Sequence, residues 1–259
     1  QTCALPISDT LMKFAFIVDP LDTLKIYKDS SYAMLVEADA RGHELYVLRQ
    51  QDIAWKHNTV IGVARQITLR RDPQNWYSLD PAAEMPLAGF DGVVMRKDPP
   101  FDMEYVASTW LLELAVEQGA RIFNDPRAIR DHNEKLAIAR YSRFIAPTLV
   151  SRLPLQIDAF IDEHRDAVLK PLGGMGGMGV FRVRENDPNR NVIVETLTEF
   201  GTRTIMAQRY IPEITQGDKR VLLIAGKPVS HCLARIPREG ESRGNLAAGD
   251  RKSTRLNSS

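Results

Sequence analysis

The stretch AVLKPLGGMGGMGVFRV, residues 167–183, decides how this chain folds. An apolar run ends at Lys170, and five glycines then fall within the seven residues 173–179. Gly174, Gly176 and Gly179 satisfy the spacing G-x-G-x-x-G. A dinucleotide fingerprint, however, needs glycines that open a helix whose N-terminus faces a pyrophosphate. Here VFRVREND alternates apolar and polar residues with a strand's period, and Asp187-Pro188 soon ends it. No Lys-Ser or Lys-Thr follows the glycines, so a Walker loop is excluded as well. The remaining reading is a glycine-rich hairpin between two strands with a lysine just upstream. Its backbone N–H groups can lie over phosphates, because glycine has no Cβ to hold a ligand away. A mobile hairpin without a ligand is the plain alternative.

Upstream of the hairpin, strand and helix alternate. KFAFIVD (13–19) reads as a buried strand, and DSSYAMLVEADARGHELYVLR as a capped helix, a stop at Gly42 and a second strand. Asp29, Ser30 and Ser31 are the N-cap choices, since their oxygens accept from orphan amides. IGVARQITLR is strand-like within a less regular region. FDGVVMRKD (90–98) predicts a strand, 102–119 a long helix, and ARIFN (120–124) another strand. This is a Rossmann-like parallel α/β unit with crossover helices. From about residue 125 the texture changes. DPRAIRDHNEKLAIARY predicts one helix, PTLVS a strand, PLQIDAFIDEH a helix starting at proline, and AVLKP the strand before the glycines.

Composition narrows the function. With 34 basic and 33 acidic residues the net charge is +1, which gives no electrostatic footprint for nucleic acid. No apolar run approaches the roughly 20 residues of a membrane helix, and no secretory signal pattern is present. Cys3 and Cys232 are the only cysteines in 259 residues, which excludes a disulfide framework and fits a reducing cytoplasm. His43, His57, His132, His164 and His231 lack metal-ligand spacing and read as surface or packing residues.

Taken in order, NEKLAIARY with Lys135, VLKPLGGMGG with Lys170, MAQRYIP and GDKRVLLIAGKPV resemble the ATP-grasp superfamily. KDSSYAML, VVMRKDPPFDMEY, IFNDPRAIRDHNEKL, ETLTEFGTRTIMAQRYIP and HCLARIPREGESRGNLAAG narrow the resemblance to the bacterial glutathione synthetase family, over about Met12 to Asp250. The resemblance implies residues 12–124 as an N-terminal substrate domain and 125–250 as an incomplete ATP-grasp α+β domain. Residues 1–11 and 251–259 look foreign to it, with the polar tail RKSTRLNSS lacking any periodicity.

The family's reaction joins γ-glutamylcysteine and glycine with ATP through an acyl phosphate. That chemistry requires neutralised phosphates, aligned substrates and excluded water. By resemblance Lys135 and Lys170 meet the phosphates, and Gly174, Met175, Gly176 and Gly177 cover them. The family pattern has aspartate where Gly173 stands, which implies a looser loop. Gln208 and Ile211 match the segment beside adenine, and Asp218 a nucleotide-contacting aspartate, although a Gly-Asp turn fits its spacing equally. Arg220, Arg235 and Arg243 match groups for substrate carboxylate or transferred phosphoryl, work suited to arginine's bidentate fork. Arg243 also lies on a lid-like glycine-rich segment. Lys28, Asp29, Ser30, Ser31, Arg96, Lys97 and Asp98 match segments facing the peptide substrates. Each of these residues has a plain alternative as a cap, turn or solvated charge.

The family holds magnesium (or manganese) with a Glu-x-Asn strand beyond the lid, and the likeness ends before it, so no metal ligand is assigned. The expectation is a chain lacking that segment, with little or no ligation activity. A homo-oligomer is implied by family resemblance alone. Three other readings stay open. They are a D-alanine or glutamate ligase, a non-catalytic nucleotide-binding module, and a nicotinamide-dependent oxidoreductase that needs a helix after Gly179.

Overall fold

A computed structural model describes residues 11–236, and the backbone of 251–256. The chain divides into two units between His132 and Asn133. In the first unit β1 (Lys13–Ile17) leads through α1 (Ser30–Ala40) to β2 (Glu44–Leu48). Then follow β3 (Ile53–Lys56), β4 (Thr59–Leu69), β5 (Tyr77–Leu79), β6 (Ala83–Pro86) and β7 (Gly92–Met95). The unit closes with α2 (Met103–Glu117), β8 (Ile122–Phe123) and α3 (Pro126–Asp131). The sheet order is β3-β4-β2-β1-β7-β8. Strands β2, β1, β7 and β8 pair in parallel, as the alternation of strand and helix predicts.

The run FAFIV, residues 14–18, is apolar throughout because both faces of β1 are covered. Ala15 and Ile17 join the core that contains Leu112 and Ala115 of α2. Phe16 and Val18 join the opposite core with Leu35 of α1. Asp29 caps α1 by accepting from the N–H groups of Ser31 and Tyr32 at 2.7 and 3.0 Å. One edge of the sheet departs from the all-parallel expectation, since β4 runs antiparallel to β2 and β3. The reason is local. His57 and Asn58 both take positive φ (48° and 60°) in a two-residue turn that sends the chain straight back.

The single helix expected over 125–141 is broken. Asp125 caps α3, which ends at Asp131 with His132 as its C-cap, and Asn133 then starts a separate turn. Its Oδ1 accepts from the N–H groups of Lys135 and Leu136, both at 3.0 Å. Residues Leu136–Phe144 form a 3-10 segment interrupted at Tyr141.

The second unit holds β9 (Thr148–Ser151), α4 (Pro154–His164), β10 (Asp166–Pro171), β11 (Phe181–Arg184), α5 (Arg190–Thr198) and β12 (Ile205–Arg209). These strands make an antiparallel sheet in the order β11-β10-β12-β9. The glycine segment joins β10 to β11, two paired strands, so no helix follows Gly179 and the nicotinamide reading falls. Period-two alternation gives this sheet two characters. Ala167, Leu169, Val183, Ile205 and Ala207 face Ile157 and Ile161 of α4 and Val194 and Leu197 of α5. Full burial of each of the larger aliphatic chains contributes about 2 kcal/mol. The residues between them, Val168, Lys170, Arg182 and Gln208, fall to the opposite face.

A third sheet comprises β13 (Asp218–Ile224), β14 (Lys227–Ile236) and β15 (Arg251–Leu256). The last of these lies where the sequence shows only a patternless tail. Main-chain pairing along the edge of β14 requires no side-chain periodicity, so the sequence carries no signal for it.

Candidate functional site

The polar face of the β11-β10-β12-β9 sheet lines a cavity of about 640 Å³. Its walls bring together Lys135, Lys170, Gly174, Met175, Gly176, Gly177, Gln208, Ile211, Arg220 and Arg235, ten of the residues singled out from the sequence. Register explains part of the convergence. Val168 of β10 stands opposite both Arg182 of β11 and Gln208 of β12. Gln208 in turn donates to the Thr148 hydroxyl at 2.8 Å. Lys170, two residues along β10, points from the same face.

Lys170 donates to the side-chain oxygen of Gln208, a neutral partner. Burial, and then the nearby Lys135 ammonium, push its pKa below the ordinary lysine value, while Glu134 acts weakly the other way. Lys135 reaches the carbonyls of Gly174 and, at 3.4 Å, Leu172. It also meets the exposed Glu134 carboxylate at 3.1 Å. Asn133 donates to the same Leu172 carbonyl at 3.3 Å, so the segment before Lys135 steadies the foot of the loop. Within the loop Gly176 and Gly177 take φ of 68° and 80°, which L-residues with a side chain resist. Two ammonium groups with mostly neutral partners, set under a glycine turn, can bind a polyanion. The apolar Val168, Val180 and Ile214 further along the cavity suit a flat ring.

Asp218 enters β13 directly after Gly217, and the hairpin tip lies instead at Ala225-Gly226. Gly217 is required there. A Cβ at this position would come within 2.4 Å of the Arg235 carbonyl oxygen. Asp218 does not line the cavity; its carboxylate takes both arms of the Arg235 guanidinium, with Nε to Oδ1 at 2.7 Å. Arg220 is exposed on the cavity wall. Arg243 lies outside the described residues.

The first unit gathers its own charges where β1 and β7 end. Lys97 pairs with Asp19 at 2.9 Å, and Asp19 also accepts from the Asp98 backbone N–H at 2.9 Å. Arg96 donates to the Ser31 hydroxyl at 3.1 Å, joining β7 to the start of α1. Partial burial first, then Asp19 and Asp29, raise the pKa of the Asp98 carboxyl, against the pull of Arg96 and Lys97. Lys28 and Ser30 are exposed, with Lys28 beside the Tyr27 ring.

Several cavity residues escaped the sequence reading: Glu134, Val168, Arg182, Tyr210 and Ile214. The alternation of VFRVR and AVLKP gave a signal, because it puts Arg182 and Val168 on the face opposite the core. Only the pairing register shows that they stand side by side. Among the described residues no cluster of His, Cys, Asp and Glu could hold a metal ion, and no helix is long and apolar enough to cross a membrane.

The model for the N-terminal domain of prokaryotic glutathione synthetase matches residues 12–130, and that for its ATP-grasp domain matches 134–258. A glutathione synthetase of Nitrosomonas europaea is 61% identical over 241 residues, covering 92% of this chain and 75% of the relative. Among solved structures, a D-cycloserine synthetase superposes with a TM-score of 0.60 at 16% identity, covering 86% of this chain and 68% of that one. An ATP-grasp ligase complexed with a minimal precursor, Mg and ADP gives 0.51 at 17% identity, covering 95% and 76%. At these identities the two structures show the shared fold alone.

Proposed function

This chain belongs to the prokaryotic glutathione synthetase family of ATP-dependent carboxylate–amine ligases, and on that premise we propose how its residues join γ-glutamylcysteine to glycine. A carboxylate and an amine do not condense in water until the carboxylate carries a leaving group. The cysteinyl carboxylate oxygen attacks the γ-phosphorus of ATP, releasing ADP and leaving an acyl phosphate. Glycine's amine then attacks the acyl carbon, loses a proton, and phosphate departs as the peptide bond forms.

Lys135 and Lys170 neutralise phosphate oxygens, and the Gly174–Gly177 backbone covers them. Gln208 and Ile211 flank adenine, with main-chain groups meeting its edge and the apolar side chain its face. Arg220 balances charge on the transferred phosphoryl or the peptide carboxylate. Arg235, held in a fork by Asp218, presents an oriented guanidinium to the same wall. We assign Arg243 to the lid that keeps water from the acyl phosphate. In the first unit Arg96, Lys97, Asp98 and the start of α1 from Lys28 to Ser31 hold the peptide substrates, at strand C-termini where open α/β sheets gather ligands. Magnesium or manganese is expected with ATP, and among the described residues no cluster of His, Cys, Asp and Glu would hold it.

We further infer a homo-oligomer working in the cytoplasm. In support of self-association, Trp110 of α2 is 52% exposed, and Met103, two turns earlier on the same stripe of that helix, is also uncovered. The scarcity of cysteine fits a reducing compartment.

The carrying observation is the convergence of Lys135, Lys170 and the glycine turn on one cavity. The test is phosphate release and glutathione formation by the protein expressed from its complete open reading frame. Turnover must require ATP, γ-glutamylcysteine and glycine together. Turnover with another acid or amine in their place, or none with any, removes the assignment.

A further inference from the structure

We propose that Arg182 is a positioning residue. By stacking on Tyr210 it fixes the segment Gln208–Ile211 that meets the base, and so sets nucleotide affinity and base choice without acting in phosphoryl transfer. The inference rests on the ATP reading above.

Arg182 stands on β11, at the edge of its sheet, opposite Val168. Its guanidinium grips the Asp166 carboxylate, with Nε to Oδ1 at 2.9 Å and Nη2 to Oδ2 at 2.6 Å. Its central carbon lies 3.6 Å from the centroid of the Tyr210 ring. Tyr210 is only 8% exposed, and its backbone N–H donates to the carbonyl of the same Asp166 at 2.9 Å. Asp166 therefore holds the arginine by its side chain and the tyrosine by its main chain. A guanidinium fixed at its edge and resting on a buried ring leaves that ring little freedom.

The plain reading is an Asp–Arg clamp that staples β10 to β11. Such a clamp needs only those two strands. Here the arginine reaches over β10 to a residue that follows β12, and that residue lies between Gln208 and Ile211. Arg182 and Tyr210 both border the cavity. The charges point the same way. Asp166 neutralises Arg182, whereas Lys170, nearer the glycine loop on the same face, keeps a neutral partner. The cavity thus offers a compensated end for an uncharged base and an uncompensated end for phosphates. The bond to Asp166 also raises the Arg182 pKa, so the stacked cation persists at any working pH.

The experiment uses the protein from its complete reading frame and compares wild type with R182M, R182K, Y210L and the double variant R182M/Y210L. Steady-state kinetics are measured with ATP and GTP, and ADP binding by calorimetry. R182M should raise KM for ATP about tenfold, with kcat changed less than about threefold and the preference for ATP over GTP reduced. Y210L should reproduce that pattern, the double variant should be no worse than either single one, and R182K should restore part of the loss. An unchanged ATP KM in R182M, a fall in kcat as large as the rise in KM, or additive losses in the double variant would overturn the role. Should R182M fail to fold, R182K and Y210L carry the same comparison. Wild type that does not bind ADP sinks the proposed function itself. Wild type that binds ADP no better than R182M sinks only the positioning role.

Discussion

Cations gather in both units, and they are treated in opposite ways. In the first unit Lys97 has Asp19 at 2.9 Å, with both side chains largely shielded at 20% and 25% exposure. In the second, Lys170 is also half-buried, yet its hydrogen-bond partner is the neutral Gln208 oxygen. A compensated charge holds the protein to itself. A desolvated charge left with a neutral partner is unfavourable in the empty protein and becomes favourable when an anion arrives. That contrast separates a self-paired charge cluster from a phosphate site more sharply than residue type does, since lysine stands at both.

The largest expected effect tests the uncompensated side. K170M should lower kcat/KM for ATP about a hundredfold or more, since it removes a charge-assisted bond to phosphate. The same substitution should raise the melting temperature of the nucleotide-free protein at neutral pH. The sign follows from the lowered pKa. Between that pKa and the ordinary lysine value the folded state binds fewer protons than the unfolded, so wild-type stability climbs with pH there. K170M lacks that climb. Wild-type ATP affinity should correspondingly weaken from a lower pH than an ordinary lysine dictates. A K170M protein that melts lower at neutral pH would break the contrast.

K97M is the mirror case. It strips Asp19 of its cation beside Asp98, and should destabilise the protein by about 1–2 kcal/mol, measured as a fall of about 3–5 °C in Tm. Removing a lysine thus raises stability in one unit and lowers it in the other. The next effect is smaller. Gly176 has φ of 68°, and a Cβ there meets nothing within 4 Å, so G176A imposes only the backbone term. That term is about 1 kcal/mol on the folded protein, which should appear as a fall of about 2–4 °C in Tm with the KM for ATP changed less than about threefold.

How far the sequence reveals this arrangement depends on the range of each cause. Strand-loop-strand around the glycines is legible because alternation in AVLKP and GVFRVR is a local property, and the cap at Asp29 is legible for the same reason. The family likeness supplied Lys135, Lys170 and Gln208, which the cavity brings together. Arg182 and Tyr210 were not legible, because their meeting depends on the register of three strands and on Asp166 at the far end of β10. The break at His132 was hidden by good helix formers on both sides, and Asn133 wins there by capping a new turn with its own side chain. The antiparallel course of β4 turns on two positive φ values, at His57 and Asn58, that helix and strand periodicity do not encode.

The finest test of the comparison lies inside the compensated cluster, at the one carboxyl that its neighbours overload. Asp98 shares Lys97 with Asp19 and also feels Asp29, and beyond the effect of partial burial these two carboxylates outweigh Arg96 and Lys97. A raised carboxyl pKa means that the folded state binds more protons than the unfolded one between pH 3.8 and the raised value. Stability attached to this group is therefore present in acid and lost as pH rises through that window. D98N removes the charge but keeps the backbone N–H that donates to Asp19. It should raise Tm by about one degree at pH 7, since solvent reaches the side chain and screens the repulsion. The gain should vanish below the ordinary carboxylate range, where wild type is protonated as well. If D98N instead lowers Tm at pH 7, the carboxylate itself is held by Arg96 and Lys97, and the first unit's charges are a closed network with no strained member.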